Sequence, residues 1–401
     1  MPTQTLTETL RSETALWACP FRPFFLGASG YAIAAVIGWL GVLLLGWPLA
    51  GDHPPMQWHS HEMLFGMVGA AIAGFLLTAM CNWTGSHPLS GRGLQALFGL
   101  WLAGRVALWL SALLPHALVA SVDIAFFAAV AIYAGRVIIG AGNYRNLPLV
   151  AVVSALALAN LLFHAGWFMQ EPALVRRVEL GTVGLIVLLI IIVGGRITPA
   201  FTRNWLLRQH RQPEQVRSWP LVEAASMVSA ALLVLALLAG APAPVLAALA
   251  AVAGVANAAR VIGWRGWCAR TDALVWILHA GYAWIPLGLI LMAIGVGFGS
   301  PVSTVWMHAL GPGAMGVMII GVMTRVALGH TGRPLELPRG AAAIYALILT
   351  AATVRLITAL GWLPWRGGVM VTTAAWCAAF LLFLWLYLPI LVRPRADGRP
   401  G

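Results

Sequence analysis

The chain has 401 residues, of which 61% are hydrophobic and only 9% are charged. A soluble domain needs a surface of mixed charges, so this composition excludes an ordinary water-soluble protein and indicates an integral membrane protein in a lipid bilayer. The net charge of +12 comes from 24 basic residues, all of them arginine. They are scattered singly between apolar segments and do not cluster, so the pattern does not indicate a nucleic-acid partner.

Apolar runs recur along the whole chain, each of about 20 residues and long enough to cross a hydrocarbon core of ~30 Å. Strand-like alternation is absent from them, so we predict helices. The predicted fold is all-α: a polytopic transmembrane helix bundle of about 12 spans that forms a single domain, residues 1–401. The predicted spans are 26–47, 59–81, 93–114, 117–139, 147–168, 177–198, 220–240, 243–264, 273–296, 303–327, 341–361 and 367–391.

The arginines also predict the orientation of the chain. Most short loops on one side carry arginine, whereas the alternate loops hold only Arg176, Arg177 and Arg366. Because cytoplasmic loops are enriched in arginine, we predict that both termini are cytoplasmic. Residues 1–25 are expected to form a short interfacial segment, with Pro20–Phe25 as an amphipathic lead-in, and residues 392–401 a cytoplasmic tail.

The stretch Trp58–Gly66 places His59, His61 and Glu62 at the start of the second span. Ionisable groups are costly in a membrane, which makes these three a functional-site hypothesis. Helix residues two apart point about 200° apart, whereas residues three apart share a face. We therefore predict that His59 and Glu62 face one way and His61 another, with Glu62 as a catalytic proton carrier.

The remaining histidines fall into two groups by their predicted depth along the spans. His164 and His308 fall at the same outer level as the Trp58–Gly66 stretch, whereas His279 and His330 fall toward the inner side. Imidazole suits haem iron and copper, so all six are candidate metal ligands. Asn160 lies one helical turn before His164 and is expected to orient its ring. The histidines interpreted as structural loop residues are His53, His87, His116 and His210.

Three ionisable residues fall inside spans: Arg105, Asp123 and Arg355. Two interpretations stay open for them. In the first interpretation, Arg105 and Asp123 neutralise each other. In the second, Arg105 and Arg355 bind the carboxylates of haem propionates, which suit a guanidinium.

The predicted inner ends of the spans combine small residues, hydroxyls and arginines. Such ends suit either a second site for an anionic cofactor group or tight interfacial turns. The candidate cofactor-binding residues there are Arg196, Arg325 and Arg333.

Taken in order, these motifs resemble the NnrS family, polytopic bacterial inner-membrane proteins of the nitric oxide response. The resemblance implies a multi-pass protein of the bacterial inner membrane that contains haem, of the b type, and copper, and that relieves nitrosative stress. It also implies nitric oxide or a related small molecule as ligand and an unidentified electron donor. The matching stretches are Pro20–Phe25, Trp58–Gly66, Asn82–Gly85, Asn160–His164, Gly194–Thr202, Gly263–Trp267, Trp276–His279 and Thr324–Leu335.

The resemblance leaves the reaction open, including whether the protein is a nitric oxide-related oxidoreductase. Two alternatives remain at this point. One is a transporter of a metal, haem or small anion through a path lined by histidine and arginine. The other is a structural or sensory membrane protein without small-molecule chemistry.

Overall fold

The computed structural model describes residues 15–47, 53–299 and 304–399. Within these ranges the chain is helical and contains no strand, which confirms the all-α prediction. Twelve long helices correspond one for one to the predicted spans. They are α1 Phe21–Leu45, α2 Pro55–Thr84, α3 Gly91–Trp109, α4 His116–Gly140, α5 Leu147–Phe168, α6 Pro172–Arg208, α7 Pro220–Ala239, α8 Ala243–Trp264, α9 Ala273–Gly297, α10 Val305–Gly329, α11 Ala342–Ala359 and α12 Trp365–Val392.

Eleven of these helices are long and apolar enough to cross a membrane. The exception is α3, whose exposed positions include Arg92 and Gln95. The protein is thus a polytopic helical membrane protein by length and composition, whereas the cytoplasmic placement of both termini stays a prediction.

The chain forms two compact units. Unit 1 takes its described residues from Met1–Val175, Met323–Ala341 and Phe380–Gly401, and unit 2 takes its own from Arg176–Val322 and Ala342–Ala379. The prediction of a single transmembrane domain stays a prediction.

Glycines on α2 bring this helix close to its neighbours in unit 1. A Cβ atom on Gly74 would lie 2.9 Å from Cβ of Phe24 on α1, and one on Gly69 would lie 2.8 Å from the ring of Phe127 on α4. Small residues allow such close helix contacts in membrane proteins. As a result most of α2 is enclosed by other helices, and the side chains of Trp58, His61 and Glu62 in its first turns are buried.

The Pro20–Phe25 segment differs from the predicted interfacial lead-in. Residues from Phe21 onward form the first turns of α1, and the side chains of positions 21 to 25 are buried. Arg22 is fully buried and donates hydrogen bonds to the carbonyl oxygens of Leu391 at 2.7 Å and Arg393 at 2.8 Å. A guanidinium at these unpaired carbonyls stabilises the end of α12, which explains its burial. Residues 1–14 of the predicted segment lie outside the described residues.

Two helices contain a π-helical segment, Glu62–Met67 in α2 and Ala309–Gly316 in α10. In the first, the Gly66 carbonyl accepts a hydrogen bond from the indole nitrogen of Trp101 at 3.0 Å. A π-helical turn holds an extra residue, so it changes the direction of the side chains at its start. Such turns are frequent at functional sites, and this one begins at Glu62.

Candidate functional site

Six polar side chains in unit 1 lie together with at most 2% of their surface exposed. They come from four helices, α2 to α5, whose apolar neighbours exclude water. Buried groups of this kind are retained only when they are paired and hydrogen-bonded. We call them the buried polar cluster, which consists of His61, Glu62, Arg105, Asp123, Asn160 and His164.

Asp123 lies at the centre of the cluster. Its Oδ1 pairs with Arg105, and its Oδ2 accepts hydrogen bonds from Asn160 Nδ2 at 2.8 Å and from His164 Nε2 at 3.0 Å. The other terminal nitrogen of Arg105 pairs with Glu62. This geometry agrees with the interpretation in which Arg105 and Asp123 neutralise each other. A haem propionate at Arg105 would have to displace one of these carboxylates.

His61 connects the two carboxylates. Its Nδ1 lies 3.0 Å from Glu62 Oε1, and its Nε2 lies 2.9 Å from Asn160 Oδ1 and 3.1 Å from Asp123 Oδ2. Because the amide nitrogen of Asn160 donates to Asp123, its oxygen is free to accept from His61 Nε2. Since Nε2 then carries a hydrogen, the contact between His61 Nδ1 and Glu62 Oε1 requires a proton on one of these two atoms, while Glu62 Oε2 is buried without a hydrogen-bond partner.

Two expectations about this stretch were wrong in detail. His61 was expected to face away from Glu62, but its Nδ1 lies 3.0 Å from Glu62 Oε1. The His59 ring stacks on Trp39, with centroids 4.5 Å apart. Asn160 orients His61 and not His164, because the Asp123 carboxylate accepts from both Asn160 and His164.

Part of the cluster has the composition of a metal site. One ligand atom each from His61, Asp123 and His164 lie within 4.8 Å of one another, and all three residues are buried. Within the described ranges, no other group of three such residues has this spacing. Two imidazoles and one carboxylate suit copper, zinc or non-haem iron.

Two histidines interpreted as structural loop residues lie beside the cluster. His53 stacks on Trp167 with centroids 4.0 Å apart, and His116 packs against the same ring at 4.0 Å. Burial, followed by the charge of His61, lowers the pKa of His53 to about 3, so its ring is neutral. Sequence reasoning did not place His53 and His116 beside the cluster. The one usable signal was Trp167, which shares a helical face with His164 and contacts both of these rings.

In unit 2, His279 borders a surface cavity. Its Nε2 lies 2.8 Å from Thr202 Oγ1, which itself donates to the Thr198 carbonyl oxygen, so the hydroxyl accepts from His279. The His279 Nδ1 atom is buried without a hydrogen-bond partner. The cavity has a volume of about 460 Å³, and its lining is mostly apolar. It is lined by Val261, Ile262, Gly266, Trp267, Arg270, Trp276, His279 and Ala280.

His308 also belongs to unit 2, where its Nε2 lies 2.9 Å from a terminal nitrogen of Arg355. Arginine only donates, so His308 Nε2 must accept. The nitrogen lone pair most suited to a metal is therefore bonded to Arg355. The four predicted outer histidines are thus in three environments: His61 and His164 in the buried polar cluster, His59 on Trp39, and His308 with Arg355.

Each inner candidate has its own surroundings. Arg196 is an exposed residue of α6, and Arg325 is buried in α10. The ring of His330 packs against Phe21 with centroids 5.7 Å apart, and Arg333 donates to the Thr331 carbonyl oxygen at 3.4 Å. Their joint role in an anionic site stays a prediction.

Unit 2 contains a partly buried ion pair that sequence reasoning missed. Arg260 on α8 donates to Glu223 Oε2 at 2.6 Å and to the Tyr282 hydroxyl at 2.5 Å. Tyr282 in turn donates to Asn257 Oδ1 at 2.6 Å. Gly195 makes room for the guanidinium, since any Cβ atom at this position would overlap it.

A comparison with protein families places almost the whole chain in one family. The family model described as NnrS protein matches residues 15–395. A search of curated proteins found no match.

Proposed function

Because the chain belongs to the NnrS family and has eleven helices able to cross a membrane, we propose that it is a haem- and copper-binding protein of the bacterial inner membrane. In this proposal it relieves nitrosative stress by binding or turning over nitric oxide or its adducts. The observation that carries it is the buried group of His61, Asp123 and His164.

The donor set of this group fits copper. Divalent copper binds imidazole and carboxylate ligands more tightly than the other first-row divalent ions do. Glu62 Oε1 at His61 Nδ1 and the Asn160 amide nitrogen at Asp123 provide polar neighbours that fix the orientation of the ligands, as outer hydrogen bonds do at metal sites. Copper there would supply a centre that binds nitric oxide and exchanges electrons with it.

Glu62 and His61 would supply a proton beside that centre. His61 Nδ1 and Glu62 Oε1 lie 3.0 Å apart, which is within the distance at which they can share a proton. Arg105 pairs with Glu62 and Asp123, so the positions of both carboxylates are fixed. For a reduction of nitric oxide that consumes protons, Glu62 is the residue we assign to deliver them.

The cavity beside His279 fits the chemistry of a haem pocket. Cofactor sites are mostly apolar, occupy about 300–1,000 Å³ and contain a few polar groups. This cavity, of about 460 Å³, combines apolar and tryptophan side chains with one imidazole and the Arg270 guanidinium. Arg270 suits a propionate, and His279 suits haem iron.

The test is metal and haem analysis of purified protein and matched variants. We expect His61→Ala with His164→Ala to lose copper and keep haem, and His279→Ala to lose haem and keep copper. His87→Ala, in an intervening loop, is the control and should keep both. Wild-type protein free of both haem and copper would overturn the proposal. Flux of a metal or anion through liposomes containing that cofactor-free protein would favour the transporter alternative.

A further inference from the structure

The C-terminal tail, which belongs to unit 1, folds back onto the end of α10. Arg395 Nη1 donates to the His330 carbonyl oxygen at 2.9 Å, and the Ala396 amide donates to the Thr331 carbonyl oxygen at 2.9 Å. The Thr331 carbonyl oxygen also accepts from Arg333 Nη1 at 3.4 Å. Because one oxygen meets both segments, the Arg333 guanidinium lies beside the tail, on the side that the distribution of arginines predicts to be cytoplasmic.

A buried arginine lies behind this contact. Arg22 at the start of α1 donates to the carbonyl oxygens of Leu391 at 2.7 Å and Arg393 at 2.8 Å, so its charge lies under the first residues of the tail. The neighbouring Phe21 ring packs against His330 with centroids 5.7 Å apart. Basic side chains from three segments of the chain therefore meet at one place. We call them the tail patch, which consists of Arg22, Arg333, Arg393 and Arg395.

The tail patch has more arginines than carboxylates. Asp397 pairs with Arg395 through hydrogen bonds of 2.9 and 2.5 Å. Among the residues that the structure describes, no carboxylate, that of the exposed Glu336 included, pairs with Arg333 or Arg393. Burial, followed by the charge of Arg393, lowers the pKa of Arg333, as expected for neighbouring cations without a counter-ion. Two guanidinium groups are thus available to an anion.

An apolar face of α12 leads to the tail patch. Leu381, Trp385 and Leu388 are 55%, 78% and 45% exposed, and their spacing of four and three residues places them on one face of the helix. The same face continues to Val392, next to Arg393. At 1.5 Å per residue, Trp385 lies about 12 Å from Arg393, within the ~15 Å that the acyl chains of one leaflet fill. A lipid whose chains lie along this face has its headgroup beside Arg393.

We infer that the tail patch binds the phosphate group of an anionic phospholipid. Arg333 and Arg393 are the residues that contact it, because a guanidinium fork matches two phosphate oxygens. Arg22 adds positive charge from beneath, whereas Arg395 is already paired with Asp397. Basic pockets at the cytoplasmic ends of membrane helices bind lipid headgroups of this kind. The apolar face favours a lipid over free phosphate, and the inference does not depend on copper or haem.

The test is a titration of full-length protein in detergent with phosphatidylglycerol, with the bound lipid counted by native mass spectrometry. Each arginine near a membrane surface contributes about fivefold to the affinity for an anionic lipid. We therefore expect Arg333→Gln with Arg393→Gln to weaken binding by about 30-fold. The control is Arg136→Gln with Arg145→Gln, two exposed positions on the same predicted side, which should keep the wild-type affinity.

Asp397→Asn should have the opposite effect. Asparagine removes the negative charge but keeps an oxygen that accepts from Arg395, so phosphatidylglycerol should bind about fivefold more tightly. Phosphatidylcholine, which has no net charge, should bind wild type more weakly than phosphatidylglycerol does.

Two results would overturn the inference. One is equal affinity of wild type and the Arg333 and Arg393 variant for phosphatidylglycerol. The other is binding of inorganic phosphate as tight as that of the lipid, since the site would then take a free anion. Circular dichroism and gel filtration report whether each variant is folded. If the double variant fails them, Arg393→Gln alone replaces it, with an expected loss of about fivefold.

Discussion

His61 on α2 and Asn160 on α5 are joined by a hydrogen bond of 2.9 Å between Nε2 and Oδ1, although 99 positions separate them in the sequence. The same amide donates to Asp123 Oδ2 at 2.8 Å. One short side chain therefore satisfies a ring nitrogen and a carboxylate oxygen at once. Its position determines which tautomer His61 adopts.

We expect Asn160→Leu to destabilise the protein by about 1–3 kcal/mol, because leucine has similar volume but leaves buried polar atoms without partners. Thermal unfolding in detergent measures this loss. The control is Leu158→Ala on the same helix, which is 54% exposed and should change stability by no more than about 0.5 kcal/mol. Equal unfolding temperatures for Asn160→Leu and wild type would contradict the assigned network.

Gly66 provides space for the Arg105 guanidinium. A Cβ atom there would lie 2.7 Å from the Tyr31 ring and 3.0 Å from a terminal nitrogen of Arg105. We expect Gly66→Ala to cost about 1–3 kcal/mol through overpacking and to lower copper content, as seen by unfolding and elemental analysis. Gly99→Ala on α3 has no atom within 4 Å of the added Cβ. It should be neutral or stabilising by up to about 1 kcal/mol, and a similar loss at both glycines would refute the steric argument.

His330 predicts a pH dependence of stability. Burial, followed by the charge of Arg395, lowers the pKa of His330 in the folded protein. The unfolded chain therefore takes up a proton near pH 6.5 that the folded protein takes up only at lower pH. The contribution of neutral His330 to the free energy of unfolding is complete above about pH 6.5. As the pH falls below that value, this contribution decreases by at most about 1.4 kcal/mol per pH unit.

Unfolding of wild type and His330→Gln from pH 7.5 to 5.0 measures this difference. Glutamine does not titrate, so the variant should lose less stability than wild type as the pH falls. If stability falls with pH equally in the two proteins, His330 is equally protonated in the folded and the unfolded state, which would contradict the prediction.

Arg260 and Glu223 in unit 2 are expected to be energetically coupled. The Arg260 side chain is 2% exposed and that of Glu223 is 26% exposed. Glu223→Leu leaves the more buried charge without its carboxylate, so it should destabilise more than Arg260→Met does. The double variant should be more stable than the sum of the two losses implies, with a coupling of about 1–3 kcal/mol. Thermal unfolding of wild type, the two single variants and the double variant completes this double-mutant cycle. If the two stability losses add to within about 0.5 kcal/mol, Arg260 and Glu223 are not energetically coupled.

The local sequence was sufficient for the helices and for the choice of Glu62, His61 and His164 as candidates. The length of an apolar run predicts a span because the thickness of the hydrocarbon core is fixed. The cost of an ionisable group in a membrane identifies the residues that need a partner. Neither argument requires knowledge of which helix lies beside which. The Pro20–Phe25 segment shows what these local arguments cannot predict, since its burial depends on a contact between Arg22 and the distant end of α12.

The sequence by itself determined that this protein is an all-helical membrane protein with the motifs of the NnrS family, and it identified candidate histidines and carboxylates along the spans. Only the tertiary structure decided the partners within that group. Asp123 on α4 meets His164 on α5, and His61 on α2 meets Asn160 on α5, because the packing of these helices brings the side chains together. These contacts join residues far apart in the chain, and helical periodicity carries no information about them.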